Sequence, residues 1–117
     1  MIVTLTLPWP HKDLTPHAKG NWRPKAKATK AYRELAFWLS KEAGVKADLQ
    51  AILTFTYHPP NLARRDVQNM HGRLKAAIDG IADAMGCDDN RFRPRFPDHF
   101  AAPVKGGAII VQIEVTP

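Results

Sequence analysis

One stretch constrains the fold of this chain more than any other. Val67, Met70, Leu74, Ile78, Ile81 and Met85 step along the sequence by 3, 4, 4, 3 and 4 residues. That spacing draws one apolar stripe down a helix, and the stripe needs a surface to bury against. The neighbouring segments offer one, because they alternate with the period of a half-buried strand. Val3, Leu5 and Leu7 alternate with Thr4 and Thr6, up to a stop at Pro8-Trp9-Pro10. Leu49, Ala51, Leu53, Phe55 and Tyr57 alternate with Gln50, Ile52, Thr54 and Thr56, and Pro59-Pro60 closes the run. Ile109, Val111, Ile113 and Val115 form a last strand after a tight turn at Lys105-Gly106-Gly107. A second helix is expected over 26–43, where Ala28, Tyr32, Leu35, Ala36 and Leu39 recur at helical spacing and Gly44 ends the run. Residues 11–24 read as a long loop, and Phe92 and Phe96 suggest a short edge strand. The order predicts an α+β fold: a small mixed sheet with two helices packed on it, as a single domain over 1–117.

Charge narrows the function. Between His11 and Arg33 lie seven basic residues (Lys12, Lys19, Arg23, Lys25, Lys27, Lys30, Arg33) against Asp13 alone, a net of 7 − 1 = +6. Residues 34–117 hold ten basic and ten acidic residues, so the whole excess lies in one N-terminal block. Such a block draws phosphate backbones by its field and by counterion release, and it also serves as a solubilising surface. Trp22 and Tyr32 among the cations favour nucleic acid, since aromatics there can stack on bases or sugars. No run approaches a membrane span, and the start has neither a basic leader nor a cleavage site, so a cytoplasmic protein without membrane contact is expected. Cys87, the only cysteine, excludes an intrachain disulfide and a multi-thiolate zinc site.

Chemistry concentrates on the polar side of the Val67–Met85 stripe. Arg64-Arg65-Asp66 enters it, Gln68, His71, Gly72, Lys75, Asp79 and Asp83 lie along it, and Asp88-Asp89 follows. Carboxylates suit hard, oxygen-seeking Mg²⁺ or Mn²⁺, and adjacent arginines can hold phosphate. Structural roles compete at each position. Asp66 is placed as a helix N-cap, Lys75 and Asp79 as an i,i+4 pair, Asp88-Asp89-Asn90 as a turn, and His71 as a surface histidine.

The order of these motifs resembles the RusA-type Holliday junction resolvases. Leu7-Pro8-Trp9-Pro10 is similar to the opening of that family, as are Arg64-Arg65-Asp66-Val67-Gln68-Asn69, Lys75-Ala76-Ala77-Ile78-Asp79-Gly80, Asp88-Asp89 and the Lys105-Gly106-Gly107 turn. The resemblance implies a small homodimeric endodeoxyribonuclease, in many cases from phage or prophage, that nicks four-way DNA junctions symmetrically in recombination and repair. It implies Mg²⁺ (with Mn²⁺ as an alternative) and no organic cofactor. Carried over by position, Asp66 and Asp89 become catalytic metal ligands with Gln68 assisting, and Lys75 becomes the catalytic lysine. Arg64, Arg65, Arg73, Lys25, Lys27, Lys30 and Arg33 are the candidate DNA contacts.

Two departures shape the expectations. Gln68 stands where the family has a second aspartate, and an amide oxygen can ligate but brings no charge. His71-Gly72-Arg73 lengthens the segment before the lysine by three residues, about 300° of helix, which keeps Lys75 on the face of Gln68 and makes Arg73 its substitute. An unbroken helix over 67–85 would be about 28 Å long, with Asp66 and Asp89 at opposite ends. A shared site then needs a break, for which Gly80 is the candidate, or ligands from two subunits. Two rival functions stay open: a junction-binding protein that Gln68 has disabled for cleavage, and a basic nucleic-acid-binding module without catalysis.

Overall fold

The computed structural model describes residues 2–14, 22–45 and 50–116. Lys19 and Leu49 lie outside the described residues, as does the side chain of Trp22. In chain order the elements are β1 (Ile2–Leu7), α1 (Trp22–Ala43), β2 (Gln50–His58), α2 (Val67–Arg73), α3 (Lys75–Met85), β3 (Phe92–Arg95) and β4 (Ala108–Thr116), with single 3-10 turns at Lys12–Leu14 and Asp89–Arg91. The chain is a single α+β domain with a four-stranded mixed sheet in the order β1-β4-β2-β3. β4 pairs antiparallel with both β1 and β2, whereas β3 runs parallel to β2. A parallel pair needs a crossover, and α2 and α3 supply it.

Register explains the core. Leu5 lies opposite Val111 and Val111 opposite Phe55; Leu7, Ile109 and Tyr57 form the next row. These six are buried, while Thr4, Thr6 and Gln112 point to the other face. Met70, Leu74, Ile78, Ile81 and Met85 cover the apolar rows as the stripe requires.

The helices depart from expectation in two places. α1 begins at Trp22 rather than Ala26, so Trp22, Arg23 and Pro24 are helical and not loop. Pro24 is tolerated there because a first-turn N–H has no intrahelical acceptor to lose. The stripe from Val67 to Met85, expected as one helix, is two: the backbone leaves helical geometry at Leu74 (φ −99°, ψ 0°). The Leu74 N–H closes on the His71 carbonyl at 3.2 Å, and α3 starts afresh at Lys75. Three helices therefore pack on the sheet, and the break is at Leu74, not at Gly80. Gly80 has a different task. A Cβ there would lie 2.2 Å from the Arg33 carbonyl oxygen and 3.0 Å from Ala36 Cβ, so the missing side chain is what lets α3 approach α1.

Candidate functional site

One backbone event brings distant residues together. At the far end of α3, Gly86 adopts the left-handed conformation (φ 69°) and turns the chain back. As a result Asp89, fourteen residues from Lys75, accepts a hydrogen bond from the Lys75 ammonium. Lys75 Nζ also donates to Asp79 Oδ1 at 2.9 Å, so one cation is held between two carboxylates.

The row continues along α3. Arg33, from α1, donates through Nε and Nη2 to both oxygens of Asp83, at 2.6 and 2.9 Å, and its Nη1 lies 4.0 Å from Asp79. Charges therefore alternate: Asp83, Arg33, Asp79, Lys75, Asp89. Arg33, Asp79, Asp83 and Asp89 border a shallow cleft of about 200 Å³ that Asp88 and Cys87 complete. Hydrogen bonds to Asp89 and Asp79 hold the Lys75 ammonium above its usual pKa, and Lys75 holds Asp89 below the carboxylate range. Arg33 does the same for Asp83. Burial pushes the thiol of the half-buried Cys87 up, which keeps it protonated.

The acid side of the stability profile follows. Asp83 is held below its usual 3.8, so the Arg33 pair contributes fully above that value and is lost as pH falls through the lower, folded-state value. Asp83→Asn is expected to lower stability at neutral pH by about 0.2–1 kcal/mol, the range for exposed pairs. It should also flatten the fall in melting temperature towards about pH 2; an unchanged acid slope would mean the pair contributes nothing.

The remaining candidates separate into groups. Asp66 caps α2: its Oδ1 accepts the Gln68 N–H at 2.9 Å. Asp66 and Gln68 thus stand at the start of α2, and the seven residues of that helix, about 10 Å of axis, separate Asp66 from Lys75. The straight-helix arithmetic that keeps Lys75 on the face of Gln68 does not hold across the break. Arg73, the expected substitute for Lys75, turns inward instead. Its Nη2 donates to the Pro10 carbonyl and its Nη1 lies 3.4 Å from Met70 Sδ, so it ties α2 to the segment after β1.

Arg65 is also engaged locally, donating to the Asn61 carbonyl and side chain at 3.0 and 2.9 Å and stacking over Trp9. Arg64 and Lys27 are exposed, and Lys30 lies 4.0 Å from Glu34. On α1 six basic residues face two acidic ones. Among the described residues, no three His, Cys, Asp or Glu side chains converge as a metal-ligating group.

Sequence reasoning missed two participants. His71 is half-buried and engaged: its Nδ1 lies 2.9 Å from the Tyr57 hydroxyl and its ring stacks on Phe96 at 4.4 Å. Burial lowers its pKa, with Asp66 opposing. Arg33, an expected DNA contact, donates to Asp83, fifty residues away, and no local spacing signals that pair.

No protein-family model matches the chain. A protein of Xylella fastidiosa (strain Temecula1) that bears the name "Uncharacterized protein" is 40% identical over 94 residues, 76% of this chain. The chain spans 61% of the length of that curated relative. Among the described residues, no helix is long and apolar enough to cross a membrane.

Proposed function

We propose that the chain is a RusA-like, divalent-metal-dependent endonuclease that nicks four-way DNA junctions symmetrically. The observation that carries this reading is the meeting of Lys75 with Asp89. These are two parts of the resolvase-like motif, fourteen residues apart and joined in space because the chain reverses at Gly86 after α3. A structural i,i+4 pair would need Asp79 alone.

Each residue has a task in this reading. The carboxylates of Asp66 and Asp89 and the amide oxygen of Gln68 are hard oxygen donors, the kind Mg²⁺ or Mn²⁺ takes. Since α2 lies between Asp66 and the Lys75–Asp89 contact, Asp66 and Gln68 of one subunit would hold the ion together with Asp89 of another. Asp66 keeps an oxygen beyond the one spent on the cap. Such an ion, when bound, supplies positive charge to the scissile phosphate and acidifies a water. Lys75 is protonated at neutral pH, and its carboxylate partners raise its pKa further, so it can offset charge developing on the phosphate. Lys25, Lys27 and Lys30 on α1, with Arg64, bind the phosphate backbone of the junction arms.

Cleavage of a labelled synthetic four-way junction with Mg²⁺ or Mn²⁺ tests the reading. Paired symmetric nicks that leave 5′-phosphate and 3′-hydroxyl ends are expected, and linear duplex should be spared. Nicking of neither substrate at any metal concentration would refute it.

A second reading is favoured by one specific feature. Gln68 is neutral, and one oxygen of Asp66 is committed to capping, so the ion-holding set carries less charge than two free aspartates would. The chain would then bind junctions without cutting them. Gln68→Asp discriminates: it should raise cleavage by about tenfold or more if a missing charge limits metal affinity. If the wild type is already fully active, the substitution should change little. Asp66→Asn that leaves every activity intact would instead favour a basic binding module in which Asp66 only caps.

A further inference from the structure

The chain alternates Arg91-Phe92-Arg93-Pro94-Arg95 where it enters and forms β3, an edge among the described strands. Phe92 is in the core, and a period of two sends Arg93 and Arg95 to the opposite face. The register agrees: Phe92 lies beside buried Ala51, whereas Arg93 lies beside Ile52 and Arg95 beside Thr54. The helices pack on the Ala51 side, so the two arginines stand on the open face of the sheet.

Both side chains are exposed, and among the described residues neither is paired with a carboxylate. Their Cα atoms are about 6.6 Å apart at 3.3 Å per residue, close to the step between successive phosphates of a nucleic-acid strand. Across the sheet the Arg95 row continues through Thr54, Gln112 and Thr4. Hydroxyl and amide groups of that kind donate to phosphate and sugar oxygens. The acid in the Arg93 row is Glu114, two strands away, or about 9.6 Å. Protection of a sheet edge against stray pairing accounts for Pro94. It does not account for a row of exposed donors behind the two guanidinium groups. Nor does this chain protect its edges in general, since β1, the other edge, reads Ile-Val-Thr-Leu-Thr-Leu without charge or proline.

We propose that Arg93 and Arg95, with the Thr54, Gln112 and Thr4 row, bind the phosphate backbone of a second nucleic-acid duplex on the open face of the sheet. A guanidinium fork matches two phosphate oxygens at once, so two arginines at this spacing grip consecutive phosphates. Lys27 and Lys30 of α1 belong to the helix layer on the other side of the sheet. A duplex lying along α1 therefore cannot reach Arg93 and Arg95, and one chain holds two segments, one on each side. This inference rests on nucleic acid being the partner and not on cleavage.

Sedimentation velocity of the full chain with a short linear DNA duplex at low salt tests it. The wild type should bind two duplexes per chain at saturation. Arg93→Ala combined with Arg95→Ala should bind one, with an unchanged circular dichroism spectrum, because both side chains are exposed. Lys27→Ala combined with Lys30→Ala should lose the other duplex and keep the one on the sheet. In that background, adding the two arginine substitutions should make the dependence of log K on log salt shallower by about 2, the slope of two phosphate contacts. One duplex per chain in the wild type, with the arginine pair making no difference, would overturn the proposal while leaving the α1 contacts standing. Binding of no duplex at all would overturn both this proposal and the nucleic-acid reading beneath it. An arginine pair that loses binding to anionic phospholipid vesicles but not to DNA would also overturn it, in favour of a membrane surface.

Discussion

Lys75→Met is expected to lower four-way junction cleavage by about 10²–10³-fold, the usual effect of removing a group that stabilises transition-state charge. Junction binding, which the proposed reading assigns to α1 and Arg64, should change far less, so the loss falls on the cleavage rate at saturating protein. The side chain is largely exposed, and its removal costs little folding energy directly. It does leave Asp79 and Asp89 facing one another without the ammonium between them. Lys75→Arg is therefore the informative companion, since it keeps the charge but not the compact geometry, and partial activity is expected. Asp89→Asn should reproduce the loss with the same sparing of binding. Cleavage unaltered in both Lys75→Met and Asp89→Asn would leave the Lys75–Asp89 contact as a surface ion pair and nothing more. The measurement is a single-turnover rate on a labelled junction, with binding followed separately in the absence of metal.

The second large effect is on stability. Gly80→Ala forces a Cβ to within 2.2 Å of a backbone oxygen of α1, a contact no rotamer change relieves. Alanine gains about 1 kcal/mol in helix propensity. Overpacking of this kind costs about 1–3 kcal/mol, and more when backbone must move. Because the obstacle is a carbonyl of the neighbouring helix, a net loss of about 2 kcal/mol is expected, or a melting temperature lower by roughly 10 °C. The displaced element is the turn of α1 that carries Arg33, so its bidentate contact with Asp83 should loosen as well. An alanine variant as stable as the wild type would show that α1 and α3 can separate at no cost. Thermal unfolding followed by circular dichroism decides it.

The strands and their faces were legible because a period of two specifies which side of a sheet is apolar, and β1, β2 and β4 keep that period without interruption. The stripe from Val67 to Met85 also predicted its own burial, since Met70, Leu74, Ile81 and Met85 are all inside. It concealed the break, because Leu74 stays buried while its backbone turns, and a hydrophobic pattern reports side chains and not dihedral angles. The start of α1 was misplaced because Pro24 reads as a breaker unless it falls in a first turn. In the candidate site, the Asp66 cap and the Lys75–Asp79 pair were visible as local spacings. Contacts across elements were not visible. The Arg33–Asp83 pair, the inward turn of Arg73 to Pro10 and the His71–Tyr57 hydrogen bond all depend on how helices lie against one another. No one-dimensional period records that.

The position of β4 bears on how the chain comes to be folded. It is the last strand described and yet hydrogen-bonds on both sides, to β1 and to β2, so the middle of the sheet is made last. A nascent chain that has not released Ala108–Thr116 from the ribosome has two strands with nothing between them. Helix α1 can form early from local contacts, but the sheet must wait for a partner about a hundred residues downstream, which entails a large loop-closure entropy and a slow step. Until then the apolar rows of β1 and β2 are open to solvent, and that interval is when this protein is most exposed to aggregation and most in need of a chaperone.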